Sequence, residues 1–207
     1  MNTTEQKRRE LAELELRARQ LQEELAGEDV LPFQPKGYYA AYYATTGFML
    51  GIFGAMSSLL FNIVGSVLVG QHPLELIRVY LTFPLGDKAL GLDSGLALAV
   101  GCCLYLATGM LLGIPVYLAL TYWTAGASLA KRLTVASLVS LLIWVIMYFG
   151  ILAWLQPALV DMKPENMIIY RVPPWVAALT HLVFGWTIAL LYPLGDFTAY
   201  RRPAEQA

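Results

Sequence analysis

The stretch Gly47–Gly70, with the sequence GFMLGIFGAMSSLLFNIVGSVLVG, carries no charged residue. A helix needs about 20 apolar residues to cross the hydrocarbon core of a bilayer, and this stretch is longer than that. Small residues recur in it every third or fourth position and again one heptad later, so in a helix they form one narrow stripe. We call this stripe the first seam, and it consists of Gly47, Gly51, Gly54, Ser58 and Gly65. Because glycine lets two helix backbones approach closely, the first seam predicts a membrane-spanning helix that packs against other helices.

The composition indicates the same class of protein for the whole chain. Of the 207 residues, 57% are hydrophobic and 14% are charged, whereas soluble domains average about 25% charged residues. The mean hydropathy is +0.56. A net charge of −1 gives no indication of a nucleic-acid partner. The adjacent Cys102 and Cys103 lie in an apolar run and do not form a disulfide framework. We therefore expect an integral membrane protein whose surroundings are the lipid bilayer.

Three more uncharged apolar runs follow the first, and together they predict an all-α, four-transmembrane-helix bundle. The predicted spans are at about residues 44–70, 94–122, 133–157 and 174–193, inside a membrane domain of residues 37–200. A charged segment, 1–36, precedes this domain, and a polar tail, 201–207, follows it. Most lysines and arginines lie on the side that carries both termini. The positive-inside rule therefore predicts a multi-pass protein of the cell membrane with both termini in the cytoplasm.

Seams of small residues recur in the second and fourth spans. The second seam consists of Gly95, Ala99, Cys102, Leu106, Gly109 and Gly113. The fourth consists of Ala178, His181, Gly185, Ile188 and Tyr192. The third span is bulkier and groups only Thr134, Ser137 and Ser140 on one side. A repeat near 3.5 residues favours a left-handed bundle, with these seams turned inward.

The charged amino-terminal segment is predicted to be helical over residues 3–26, with glycine and proline only beyond it. A heptad pattern runs through Leu11, Leu14, Ala18, Leu21 and Leu25. One interpretation is a docking helix for another membrane-protein subunit or a second copy of the chain. The other is an amphipathic helix that lies on its own protein or on the membrane surface.

The loop at 71–93 contains a second amphipathic stretch, which begins at Pro73 and is too short to span a membrane. We expect a short interfacial or shallow re-entrant helix there. Its polar residues form a candidate docking edge on the far side of the membrane from the termini. These residues are His72, Glu75, Arg78, Asp87 and Lys88. The alternative is a lid over the mouth of the bundle.

Polar residues inside the spans are the remaining candidates for a functional site. At 1.5 Å per residue, Asn62, Cys102 and His181 are expected at one depth in the membrane, with Tyr105 and Tyr148 close by. One interpretation is a buried site for a haem, a metal or a quinone headgroup. The other is structural: His181 hydrogen-bonds Asn62 or a backbone carbonyl and fixes helix register.

The sequence carries no phosphate-binding loop, dinucleotide fingerprint or nucleophile motif. We therefore expect a non-enzymatic protein without a bound cofactor or metal, acting as an accessory or assembly subunit of a larger membrane complex. The alternative is a redox protein that binds its cofactor through His181. A small transporter or channel is the third possibility, and it is disfavoured by the uncharged spans.

Overall fold

A computed structural model of the chain describes residues 11, 13–18, 20, 21, 36–93 and 95–195, with backbone only at 36–38. Within these residues the structure is helical and contains no strand. Six α-helices are labelled in chain order: α1 (Lys36–Leu68), α2 (Glu75–Leu85), α3 (Leu96–Thr124), α4 (Leu129–Leu159), α5 (Ile168–Arg171) and α6 (Pro174–Leu191). Within α4 the segment Ile146–Leu152 is a π-helix. Three 3₁₀ turns cover Gly86–Gly91, Pro164–Asn166 and Tyr192–Gly195.

Four of these helices, α1, α3, α4 and α6, are long and apolar enough to cross a membrane. The prediction of an all-helical chain with four such helices is confirmed for the described residues. The third of these long helices, α4, begins at Leu129, earlier than the predicted residue 133. Its start is set by Gly126, which has a φ of 67°, and by the extended backbone of Ser128 before the first turn. Lys131 therefore lies inside the helix.

The first helix packs against α3 through glycines on both sides. A Cβ atom on Gly51 would lie 2.5 Å from the carbonyl oxygen of Gly109, and one on Gly47 would lie 2.7 Å from that of Gly113. Real Cβ atoms essentially never come within 3.0 Å of a neighbouring heavy atom, so only glycine fits at these positions. The absence of side chains on both helices brings their backbones into direct contact.

The last helix packs against α1 and α4. Gly54 of α1 lies against the ring of Phe184, to which an added Cβ would be 2.8 Å. Gly185 of α6 lies against Ser140 and the backbone of Ala136 in α4. The side of α4 that is buried therefore carries Ala136 and Ser140, while Thr134 is exposed and Ser137 is half-buried.

Three predicted seam residues lie outside these contacts. An added Cβ on Gly65 or Gly95 would have no atom within 4 Å, and Ala99 is exposed. At this end of the bundle α3 packs against α2, since a Cβ on Gly101 would lie 2.7 Å from Ile77. The short helix α2 therefore packs on α3 at Gly101, a glycine that is not part of the predicted second seam.

The opposite end of the bundle is closed by aromatic packing. Tyr117 is fully buried, and its ring stacks on that of Tyr192 at a centroid distance of 5.2 Å. Its hydroxyl donates to the carbonyl oxygen of Tyr192 at 3.2 Å. The guanidinium of Arg132 lies 4.4 Å from the centroid of the Tyr192 ring, a cation–π contact.

The amino-terminal segment is described only in part. Residues 11, 13–18, 20 and 21 are helical, with exposed side chains. The rest of the predicted helix at 3–26 lies outside the described residues, as do Ser94 and the tail at 201–207.

Candidate functional site: a central apolar cavity

A cavity of about 420 Å³ lies between the four long helices and α2. Leucine, isoleucine, valine, phenylalanine and alanine side chains form most of its wall, and none of the described lining residues is Asp, Glu, Lys or Arg. The polar residues in the wall are Ser58, Tyr80, Tyr105, Thr108, Ser140, Tyr148, Thr180 and His181. Binding sites for small molecules have this character: a mostly apolar wall of about 300–1,000 Å³ with a few polar groups.

The π-helical segment of α4 forms one wall of the cavity through Met147, Tyr148, Ile151 and Leu152. π-Helical insertions in α-helices are rare and occur frequently at functional sites. The hydroxyl of Tyr148 lies 2.7 Å from two backbone carbonyl oxygens, those of Ile169 and Val172. This shared hydrogen bond joins the π-helical part of α4 to the segment that contains α5, and it therefore holds this part of the cavity wall in place.

Two tyrosines in the wall already donate to hydroxyl groups of neighbouring helices. Tyr105 lies 2.9 Å from Ser58 Oγ, which itself donates to a carbonyl oxygen one turn earlier in α1. Tyr80 lies 2.7 Å from Thr108 Oγ1, which likewise donates to a carbonyl of its own helix. Since each serine or threonine hydroxyl has a single proton, the tyrosines must be the donors. All four protons are therefore used within the protein.

The hydroxyl group of Thr180 also has hydrogen-bond partners within the protein. Its hydroxyl donates to the carbonyl oxygen of Val176 at 2.8 Å and accepts from Asn62 Nδ2 at 2.9 Å. Asn62 Nδ2 also donates to the carbonyl oxygen of Ser58 at 2.8 Å. The partner of Asn62 on α6 is thus Thr180, the residue next to His181.

Ser140 differs from the other hydroxyl residues of the cavity. It is fully buried (0% exposed), and its Oγ has no hydrogen-bond partner among the described residues. Thr134 and Ser137, on the same helix, both donate to backbone carbonyls one turn earlier. This Oγ is the nearest atom to a Cβ added at Gly185, so the hydroxyl is enclosed between α4 and α6 and has no surface that faces the cavity. A buried hydroxyl without a partner costs about 1–3 kcal/mol.

His181 has a ring nitrogen that is left unused. Its Nδ1 lies 2.8 Å from the carbonyl oxygen of Ala177. Because a carbonyl can only accept, Nδ1 carries the proton, and in the neutral ring Nε2 is left as an acceptor. Nε2 makes no hydrogen bond within the described part of the chain. The wall therefore offers one unused acceptor, His181 Nε2.

The predicted polar layer is only partly brought together. Tyr105, Tyr148 and His181 line the cavity, and Asn62 reaches it through Thr180. Cys102 does not line it: this residue packs against the cluster that contains Ile77 and Leu81. Ser140, Thr180 and the π-helical segment were not predicted as parts of a site. Ser140 was visible in the sequence as part of a polar group on the third span, but nothing in the sequence indicates that its hydroxyl lacks a partner.

The candidate docking residues of the loop at 71–93 are mostly engaged within the chain. Arg78 lies 3.2 Å from Glu75, 2.6 Å from Asp93 and 2.6 Å from the carbonyl oxygen of Leu92. Both ring nitrogens of His72 are hydrogen-bonded to backbone groups, Leu74 N–H at 3.1 Å and the carbonyl of Asp93 at 3.3 Å.

The remaining loop candidates lie on the surface. Asp87 is exposed and accepts from Asn166 Nδ2 at 3.1 Å, and Lys88 is exposed. The ion pairs and hydrogen bonds of Glu75, Arg78, His72 and Asp87 hold the loop in place.

Among the described residues, no group of three or more His, Cys, Asp or Glu side chains is close enough to hold a metal ion. His181 is the only described histidine, cysteine or carboxylate in the cavity wall. Comparison of this chain with protein-family models, curated protein sequences and solved structures finds no match.

Proposed function

We propose that this chain is a non-enzymatic, multi-pass membrane protein whose bundle binds an apolar small molecule in the central cavity. The proposal rests on one observation: an apolar space of about 420 Å³ whose wall contains an unused acceptor, His181 Nε2. A ligand that fills the space and donates to this nitrogen would gain apolar contacts and one hydrogen bond.

The packing elsewhere in the bundle supports this proposal. Gly51 and Gly109 bring two helix backbones into direct contact, and Gly185 of α6 lies against the Ser140 side chain and the Ala136 carbonyl of α4. Protein interiors are normally packed to a uniform high density. A space of this size beside such close contacts is an exception to that density, and a bound apolar molecule would fill it.

The chemistry of the wall favours a lipid-like or quinone-like molecule over a haem or a metal ion. Metal ions and haem iron are held by several donors or by a strong axial ligand with supporting groups. His181 is the only described side chain of that kind in the wall, and its Nδ1 is committed to Ala177. An apolar molecule with an oxygen-bearing head needs only the apolar wall and one or two hydrogen bonds.

A role as an accessory subunit of a membrane complex is a second proposal, and a different observation favours it. The described helical residues of the amino-terminal segment expose four leucines, and three of these lie at heptad positions: Leu11 is 59% exposed, Leu14 is 64% exposed and Leu21 is 46% exposed. Leucines at heptad spacing on a helix are typical of a docking surface. A protein that begins at Lys36 should keep its fold and lose a partner or second copy that binds through these leucines.

We also propose that both termini lie in the cytoplasm and that the end of the bundle carrying α2 faces away from it. The distribution of lysine and arginine supports this orientation through the positive-inside rule. Cysteine-accessibility labelling at Gln6 and at Lys88 in intact cells would test it. If an impermeant reagent added outside the cell labels Gln6→Cys, the amino terminus lies outside and the proposed orientation is wrong.

The ligand proposal is tested by purifying the protein from native membranes and identifying the small molecules that leave it on denaturation. Met147→Trp should displace the ligand, since Met147 lines the cavity. The matched control is Leu142→Trp, which adds a tryptophan to the same helix at an exposed position that does not line the cavity. A molecule retained equally by both variants, or absent from the parent protein, would refute the proposal. A Soret band in the absorption spectrum would reassign the site to a haem.

A further inference from the structure

We infer that the central cavity opens sideways into the bilayer, through a gap between α3 and the second half of α4, and that its ligand is a lipid-phase molecule whose tail stays in the bilayer. This inference rests on the proposed function and adds the route of entry and the chemical class that this route admits. It follows from which residues of the cavity wall are buried and which are exposed.

One side of the cavity wall is closed. The lining residues of α1, Ala55 and Ser58, are both 1% exposed. The lining residues of α6 are buried too, except for the half-buried His181. The two helices contact each other directly, because Gly54 of α1 lies against the ring of Phe184. This side therefore gives a lipid chain no entry.

The opposite side is formed by lining residues that are partly exposed. On α3, Leu104 is 45% exposed, and Thr108, one turn later, is half-buried. On α4, Ile151 and Leu155 are one turn apart and half-buried. Two rows of residues that packed against each other across a helix interface would be buried. Since both rows line the cavity and keep exposed surface, a gap remains between them.

Contacts bound this gap at both ends. At one end α2 joins the two helices, and Tyr80 of α2 donates to Thr108 Oγ1 of α3 at 2.7 Å. Gln156 Nε2 of α4 donates to Thr82 Oγ1 of α2 at 2.9 Å. At the other end α3 packs against the Leu129–Val145 part of α4, whereas the π-helical segment beyond it packs on α5. We call the opening enclosed by these contacts the lateral window.

The border of the lateral window suits a lipid chain. Leu104 and Ile151 are apolar and belong to helices long enough to cross a membrane, so the window faces lipid tails. The hydroxyl proton of Thr108 is committed to the carbonyl oxygen of Leu104. No described lining residue is charged, so an ionised head would have no counter-charge on its way in. The window therefore admits a neutral molecule that is already dissolved in the bilayer.

An open window has a measurable consequence for chain length. A closed cavity of about 420 Å³ would reject a chain longer than the space can hold. Through the lateral window, the head of a long molecule can enter the cavity while the rest of its chain keeps its contacts with lipid. That part of the chain has the same surroundings in the free and the bound state, so it does not change the free energy of binding. Binding should therefore not depend on chain length.

The test uses two photoactivatable probes in proteoliposomes, octanol and octadecanol, each with a diazirine beside the hydroxyl group. At equal mole fraction in the bilayer, both should label the parent protein to the same extent at Val172, Ala177 and Phe184. These three residues line the cavity and keep a small accessible surface of 9%, 8% and 7%. Labelling there reports a head group inside the cavity rather than a molecule on the lipid-facing surface.

The double variant Leu104→Trp/Ile151→Trp narrows the lateral window from both edges. In this variant octadecanol labelling should fall about tenfold relative to octanol labelling, because only the shorter chain fits inside a closed cavity. Leu111→Trp/Leu142→Trp is the matched control, with the same substitutions at exposed positions of α3 and α4 that do not line the cavity. It should keep the ratio of the parent protein. The comparison of the two probes in the parent protein needs no variant, so it decides even if the double variant does not fold.

The outcomes separate the inference from the proposed function. Loss of octadecanol labelling in the parent protein, with octanol labelling that Met147→Trp abolishes, would overturn the inference and leave the cavity as a binding site. A ratio of the two probes that Leu104→Trp/Ile151→Trp does not change would likewise overturn the lateral window. Labelling of the three buried residues that Met147→Trp does not reduce, or no labelling by either probe, would overturn the proposed function itself.

Discussion

Asn62 Nδ2 lies 2.9 Å from Thr180 Oγ1, and this hydrogen bond joins the first long helix to the last. The sequence placed Asn62 and His181 at the same depth and offered a bond between them as one interpretation. The structure gives Asn62 the neighbouring threonine, and His181 bonds the backbone of its own helix. Thr180 and His181 both line the cavity, but only Thr180 hydrogen-bonds to another helix.

The Asn62–Thr180 pair should be measurable as a coupling energy. Asn62→Leu and Thr180→Val should each destabilise the bundle, and their double-mutant cycle should give about 0.6 kcal/mol, with about 1.7 kcal/mol as the upper range for membrane helices. Reversible unfolding in detergent measures the three variants. The comparison cycle pairs Asn62→Leu with His181→Phe. A larger coupling in that second cycle would show that Asn62 acts through His181.

The glycine contact between α1 and α3 should tolerate no side chain. Gly51→Ala and Gly109→Ala should each lower the free energy of unfolding by about 1–3 kcal/mol, because the new methyl group meets backbone or Ala55 of the other helix. Gly65→Ala is the control, since its methyl group would have no neighbour within 4 Å. Thermal unfolding in detergent compares the three. Equal melting temperatures for Gly51→Ala and Gly65→Ala would rule out the close contact.

Gln156 should act as a buried link at the α2 end of the bundle. It is fully buried, donates to Thr82 Oγ1 at 2.9 Å and accepts from the backbone N–H of Ile168 at 2.9 Å. Gln156→Met keeps the approximate size but leaves the Ile168 N–H without a partner, at a cost of about 1–3 kcal/mol. Asn166→Ala, which removes an exposed hydrogen bond to Asp87, should have a much smaller effect. Chemical unfolding of both variants measures the two losses in the free energy of unfolding. Similar losses would show that Gln156 does not act as a buried link.

Arg78 should stabilise the loop more than Arg171 does, although both pair with Glu75. The Arg78 side chain is 13% exposed and makes three contacts, whereas Arg171 is 39% exposed and lies 3.6 Å from Glu75. Arg78→Met should cost about 1–3 kcal/mol, and Arg171→Met about 0–1 kcal/mol. Limited proteolysis within residues 86–93 provides the measurement. Faster cleavage in Arg171→Met than in Arg78→Met would contradict this order.

The number of long helices and much of their packing chemistry can be predicted from the amino-acid sequence. Uncharged runs longer than about 20 residues have few structural solutions other than membrane-length helices. Glycines at helical spacing, such as Gly51 and Gly109, mark close contact because no other residue leaves the backbone bare. Both signals are local, and each is contained within one helix.

Which polar groups form hydrogen bonds, and where the cavity lies, depends on how the helices pack in three dimensions. Whether Ser140 has a partner depends on Gly185 and Ala136, and the partner of Asn62 depends on how far α6 is rotated. The cavity depends on α2 packing beside α3 at Gly101 and on the π-helical turn of α4. These are relations between distant segments, set by the shape and rotation of several helices at once. Spacing within one helix cannot reveal them, because a rotation of one residue, about 100°, exchanges Thr180 for His181.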